Sequence, residues 1–407
     1  RLREITNLRG ITSLVIQYDS SDRAKKLTHA DGGIVTLEYT GLTTTQTDER
    51  ENTLVYEHDS NGRMIKMTDQ MGETERYDYD DADNRSGYTD RRNKTTTLTY
   101  DADGNVTHIQ KPNGYTKDIE YNVFSEPTSI EDFTGTIKLE YDAKGNLTEI
   151  ADQNNKKTRI TNNNLGLPTE IRDALDATIK ITYDGQANAV HVINPLDKDT
   201  QYAYDGISRN TGIIDPENDS VSLTLDATSN VKKVLDARNN PINVVYDENS
   251  NVISQKNEAG DERTFTYNNK DRLKNRTDYE GNVWSYMYDL DDNLLSAKDP
   301  LGHITTYTYD PAGRRSSIKL PEGGTLAYEY DGNDNVTAIT DPNRHTTTFT
   351  YNDTNALISI KNAVNATMEY KRDLLDRITE IKDWNGNKRT FIYDSLGRLS
   401  QEFNPLN

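Results

Sequence analysis

A unit of 21 residues returns about nineteen times along this 407-residue chain, so any fold must satisfy one local pattern at every return. The anchor of the unit is a Tyr-Asp pair followed by a turn and then Asn or Arg, as in Tyr100-Asp101-Ala102-Asp103-Gly104-Asn105 and Tyr309-Asp310-Pro311-Ala312-Gly313-Arg314. From Asn162 to Tyr393 the anchor falls at every 21st position without a slip, and upstream it sits at 18, 39, 58, 79, 100, 121 and 141. The repeat anchors proper are Tyr79, Tyr100, Tyr121, Tyr141, Tyr183, Tyr204, Tyr246, Tyr267, Tyr288, Tyr309, Tyr330, Tyr351 and Tyr393, with Tyr18 and Tyr39 before them. His58, Asn162, Leu225 and Arg372 stand at the remaining anchor positions.

Two residues before each anchor the side chain is apolar or aromatic throughout, for example Leu98, Ile119, Phe265, Tyr307 and Phe391, while Thr or an acid stands between. That is the period of a half-buried strand. After the anchor come Asp, Gly, Asn and Ser over five positions, the composition of a reversing turn. An apolar pair spaced by three follows, such as Val106 and Ile109 or Val336 and Ile339, and the spacing implies that its first member still belongs to the turn or to a bulge. Fourteen residues past the anchor stands Gly, Asn or Asp in most units, marking a second turn that Asp299-Pro300 and Asp341-Pro342 announce. Each unit therefore reads as one β-hairpin, and nineteen hairpins predict roughly 38 strands in one antiparallel ribbon. At about 4.8 Å per strand the ribbon is on the order of 180 Å wide, and sheet twist should coil it into a superhelical shell.

Residues 1–407 are thus expected to form a single all-β shell segment. The low apolar content of 33% fits a wall one sheet thick better than a globule with a thick core. The chain opens at Arg1-Leu2 and stops within a unit, which reads as a fragment of a larger protein. A net charge of −20 with scattered Lys and Arg argues against nucleic acid as a partner. No apolar run approaches the ~20 residues of a membrane-spanning helix, so no membrane insertion by this segment is expected.

Chemistry is sparse. Asp101 to Asn105 resembles the opening of a calcium loop, but Pro112 occupies the closing acidic position and the same turn recurs at Asp80 to Asn84 and Asp289 to Asn293. His29, His58, His108, His191, His303 and His345 are too far apart in sequence for a paired metal motif. With no cysteine and no nucleophile elbow or phosphate loop, neither metal, cofactor nor catalysis is expected.

These residues resemble the Tyr-Asp-repeat proteins, a family that includes bacterial Rhs proteins, the C component of Tc toxin complexes and animal teneurins. The segment Asp299 to Leu320 carries the motif nearly complete. The resemblance implies a spiral β-sheet shell that, in bacterial members, encloses a C-terminal toxin of the same parent chain until delivery. It also implies a secreted or cell-surface location, with secretion-system components or surface glycans as further partners. The family's terminal Asp-Pro-x-Gly-Leu segment has only one near match, Asp299-Pro300-Leu301-Gly302-His303, which reads as an ordinary repeat turn. A second reading is an adhesion module binding glycans or proteins through outward tyrosines. Such solenoids lean on Trp, and only Trp284 and Trp384 are present here.

Overall fold

A computed structural model describes residues 1–404. It contains 39 antiparallel strands in one sheet and, among the described residues, no helix. Each strand pairs with its neighbours in sequence, from Glu4–Thr6 at one end to Leu399–Phe403 at the other, and those two end strands do not pair with each other. The sheet is an open ribbon of hairpins, as the repeat requires.

Both turns of the unit are built alike. In the anchor turn, Asp101 Oδ1 accepts the backbone N–H groups of Asp103 and Asn105, and the Asp101 N–H donates to the Asn105 carbonyl. In the second turn, Asp69 does the same with Met71 and Glu73. One carboxylate thereby satisfies two turn donors that strand pairing leaves unpaired. The fourth residue of each turn lies in the left-handed region, at φ 83° in Gly104 and 61° in Asn93, which is why Gly, Asn and Asp recur there. Two units depart from this plan. Gly41-Leu42 and Phe133-Thr134 replace the five-residue turn with a two-residue one, and these substitutions account for the 19- and 20-residue spacings before His58 and Tyr141.

At every anchor except Tyr39 the ladder slips by one residue. Thr99 pairs with His108 and Tyr100 with Val106, so Thr107 is the extra residue of a bulge. A bulge bends its strand and adds right-handed twist. One bulge per hairpin, always on the strand after the anchor, makes the bends accumulate in one direction and coils the ribbon.

The coil returns on itself. Hydrogen bonds and ion pairs join residues 221 to 263 apart, among them Glu49–Lys270, Asn154–Ser395, Asp90–Asn333, Arg92–Asn352 and Asn113–Leu374. These offsets straddle twelve units of 21 residues, so one coil takes about 24 strands and the chain makes about one and a half coils. At about 4.8 Å per strand that is a circumference of about 115 Å and a backbone diameter of about 37 Å.

Among the described residues this wall has no thick apolar core. Among the described residues the buried apolar side chains are Tyr115, Ala151, Val244 and Ala338. Strand faces alternate instead, as in Thr95–Tyr100, where Thr96, Leu98 and Tyr100 are half-buried and Thr95, Thr97 and Thr99 exposed. Stability is therefore spread thinly along the ribbon, each unit resting on its nearest neighbours and on the adjoining coil.

Candidate functional site

Two features carry the architecture: a staple at each anchor and a seam between coils. The staple follows from the bulge, which turns the carbonyl six residues past an anchor away from the ladder. The next anchor supplies its donor. The hydroxyl of Tyr79 donates to the Met64 carbonyl at 2.9 Å, that of Tyr100 to Arg85 at 2.8 Å, and that of Tyr121 to Val106 at 3.0 Å. The same bond links Tyr141 to Pro127, Tyr183 to Pro168, Tyr246 to Val231 and Tyr267 to Val252. It recurs from Tyr309 to Leu294, Tyr330 to Arg315, Tyr351 to Val336 and Tyr393 to Ile378. Tyr204 and Tyr288 hold the same strand position without that hydroxyl contact among the described residues.

Two of the anchors that are not Tyr rebuild the bond with different chemistry. Asn162 Nδ2 donates to the Leu147 carbonyl at 2.9 Å, and Arg372 Nε donates to the Leu357 carbonyl at 2.8 Å. His58 reaches Leu42 through its backbone N–H, with its ring Nδ1 3.2 Å from the same carbonyl. Leu225 has nothing to donate. Burial raises the hydroxyl pKa of Tyr121, Tyr141, Tyr267 and Tyr351, so these staples stay protonated donors at any pH where the protein functions.

Arginine lies against the anchor ring in several units. Arg63, Arg272, Arg314 and Arg377, each five residues past an anchor position, place their guanidinium 4.7 to 5.1 Å from the ring centroids of Tyr79, Tyr288, Tyr330 and Tyr393. Arg314 also pairs with Asp310 and donates to the Asp331 carbonyl, tying two successive anchor turns together. The sequence displays Asn or Arg at this position, but its stacking partner 16 residues on lies in a different unit and carries no local signal.

The first carboxylate of the calcium-like stretch is used within its own turn. Asp101 Oδ1 takes the two backbone donors and Oδ2 accepts Asn105 Nδ2 at 3.0 Å, so its oxygens point into the turn. The histidines pair with acids or carbonyls near them: His108 with Asp118, His191 with Asp199, His303 with Asp299 and His345 with Asp341. His29 reaches Glu49. Trp284 lies under Arg276, 4.1 Å from guanidinium to ring centroid, and Trp384 is partly exposed.

Acid should attack the turns first. In Asp101, Asp142, Asp184 and Asp383 the Asn side-chain donor, then the turn N–H groups, hold the carboxyl below its ordinary value of 3.8. A carboxyl whose folded pKa is depressed stabilises the fold fully above its unfolded value and loses that contribution as pH falls through the folded one. Melting temperature should therefore hold from neutrality down to about pH 5 and fall below about pH 4. Circular dichroism across pH tests this, and a melting temperature that already falls well above about pH 5 would show that the turn carboxylates are not what acid attacks first.

The seam joins unlike edges. Second turns of the first coil, from 7–11 to 152–156, pack on anchor turns of the second, from 247–251 to 394–398, and the third residue of each turn makes much of the contact. Arg9 pairs with Asp271 and Asp247, and Arg50 with Asp291. Arg92 donates to the Asn352 carbonyl at 2.9 Å and to Asn355 at 3.0 Å, while Asn333 donates to Asp90 at 2.6 Å. The densest cluster surrounds Lys270, which reaches Asp31 at 3.3 Å, Glu49 at 3.3 Å and Asp292 at 3.1 Å; Arg272 adds pairs with Asp31 and Asp292. The Glu49 side chain is 2% exposed. It fits because residue 33 is glycine: a Cβ there would collide with the Glu49 carboxylate. A cavity of about 640 Å³ opens beside this cluster, lined in part by Leu8, Leu14, Lys270 and Asp292.

With this geometry in hand, comparison with known proteins is decisive about the repeat. The RHS Repeat family model matches residues 58–95, 79–116, 288–325 and 330–367. The chain carries RHS repeats over these residues. Its fold is also found in solved structures. A TcdB2-TccC3-Cdc42 crystal structure superposes with a TM-score of 0.60 at 12% identity, covering 99% of this chain and 28% of that one. A TcdB2-TccC3 crystal structure gives 0.60 at 13% identity, with 98% and 26% covered. The Tc holotoxin pore of Photorhabdus luminescens gives 0.55 at 14% identity, with 96% and 25% covered. The chain thus spans about a quarter of the length of the solved chains it matches, and at these identities the likeness concerns the fold. No curated protein sequence matches it.

Proposed function

We propose that this RHS chain is non-catalytic wall: part of the shell of an exported bacterial Rhs-type toxin, enclosing a toxin polypeptide of the same parent chain until delivery. The observation that carries the reading is the seam, by which the ribbon closes laterally on its own next coil. A ribbon without it would be an open helix that any solute could enter between coils. The coil diameter of about 37 Å, less the side chains of the inner face, leaves a passage wide enough for a polypeptide. The staples and turns consume their polar groups internally, so the wall offers structure and no reactive constellation. One of the matched structures is a Tc holotoxin pore, and the proposal transfers that toxin setting to this chain.

Limited proteolysis of the parent protein tests it. The segment beyond these repeats should resist protease in the native protein and be cut after denaturation. Free cutting in both states would overturn enclosure and put surface adhesion in its place.

A further inference from the structure

On the face that carries the anchor tyrosines, two half-buried arginines stand on adjacent strands with no acid in ion-pair reach. Arg276 lies opposite Phe265 and Trp284, at the position that Ile109, Ile318 and Ile339 hold in other units. Arg263 lies opposite Gln255, where another unit puts Met368 opposite Ile360. Every other half-buried arginine among the described residues bonds a carboxylate or a backbone carbonyl, as Arg63, Arg92 and Arg372 do. Arg276 does neither, and its Nε is buried without an acceptor. Arg263 gives its Nε–H to the Gln255 side chain and leaves the ends of its fork free. Rings fix both groups: the Arg276 guanidinium is 4.1 Å from the Trp284 centroid, and that of Arg263 is 5.5 Å from Tyr279 and 5.9 Å from Phe265. Packing alone is served by the isoleucine and methionine of the other units, and a guanidinium without a counter-charge costs desolvation that they do not.

We propose that Arg263 and Arg276 are a receptor for two carboxylates of an extended acidic polypeptide segment. Charge complementarity carries the assignment, because in a chain of net charge −20 these are two half-buried cations left uncompensated. Spacing agrees with it. The two arginines are diagonal neighbours across one strand pair, with Cα atoms about 8 Å apart, and alternate side chains of an extended peptide leave its backbone about 7 Å apart. Acids at positions i and i+2 of such a peptide can therefore take one arginine each. A guanidinium already held against a ring loses little freedom on pairing, and its planar fork suits a carboxylate. An acidic sugar fits less well, since the guanidinium groups occupy the ring faces on which a pyranose would stack. The inference goes beyond the wall reading and does not depend on enclosure.

Titration of the intact chain with acetyl-Ser-Glu-Ser-Glu-Ser-amide tests it, read by Trp284 fluorescence in a Trp384→Phe background. The peptide should give a saturable change, and its twin with both Glu replaced by Gln should bind at least about tenfold more weakly. Arg276→Ile and Arg263→Met, each a residue that another unit carries at that position, should weaken the acidic peptide by a similar factor while circular dichroism stays that of the parent. The comparison of the two peptides on the parent chain needs no variant and stands if one fails to fold. No saturable change with the acidic peptide would overturn the proposal, as would equal binding of the two peptides or full binding by the folded variants. Binding of an oligogalacturonate in place of the peptide would overturn it in favour of an acidic glycan.

Discussion

Lys270→Ala should cost about 3 kcal/mol and open the seam at its densest point, because it leaves the buried Glu49 carboxylate facing Asp31 and Asp292 with its cation gone. The size comes from asymmetry: an intact buried pair contributes little net, but removing one partner strands a charge that cannot reach water. His29 beside Glu49 and Arg272 beside Asp31 remain, so the lower end of the usual 3–5 kcal/mol range applies. Replacing both partners, Lys270→Met with Glu49→Leu, should recover most of the loss. Amide exchange should locate the effect, accelerating in the turns 29–33, 48–52 and 268–272 while distant units such as 178–193 stay protected. Uniform acceleration throughout, or none, would show that the coils do not depend on this cluster.

The repeat made the hairpin, the strand face and both turns legible, since each needs only neighbours within about 15 residues: Leu98 and Tyr100 on one face, Asp101 closing its own turn, Val106 before the bulge. The staple was half-visible. Tyrosine at the anchor was evident, whereas its acceptor was not, because a backbone carbonyl has no sequence signature. The seam was invisible. Arg9, Arg50 and Arg92 look like scattered surface charges in sequence, and their partners lie about twelve units away, a distance set by the curvature summed over some 24 strands and not by any residue. Gly32-Gly33 offered a hint: the first glycine serves the left-handed turn at φ 88°, and the second answers to Glu49 and not to its own turn.

Tyr330→Ala should be the most damaging change at a single staple, at about 3 kcal/mol. It removes a ring against which the Arg314 guanidinium lies at 4.8 Å, and it orphans the Arg315 carbonyl that the hydroxyl satisfies at 2.8 Å. Tyr330→Phe isolates the second loss and should cost about 1 kcal/mol. The chain contains the reverse experiment at Leu225, where a staple is missing: Arg209, 16 residues earlier, pairs with Asp205 and donates to the Asp226 carbonyl as Arg314 does one turn before Tyr330, but has no ring to lie on. Leu225→Tyr should supply that ring and a donor for the Asn210 carbonyl, gaining about 1 kcal/mol. Paired thermal melts of the three variants decide the matter. If Tyr330→Phe is as harmful as Tyr330→Ala, the hydroxyl outweighs the ring; if Leu225→Tyr is neutral, the staple holds the hairpin's shape and adds no stability of its own. Because each unit rests on its neighbours, any of these changes should loosen the two adjacent hairpins before the rest of the wall.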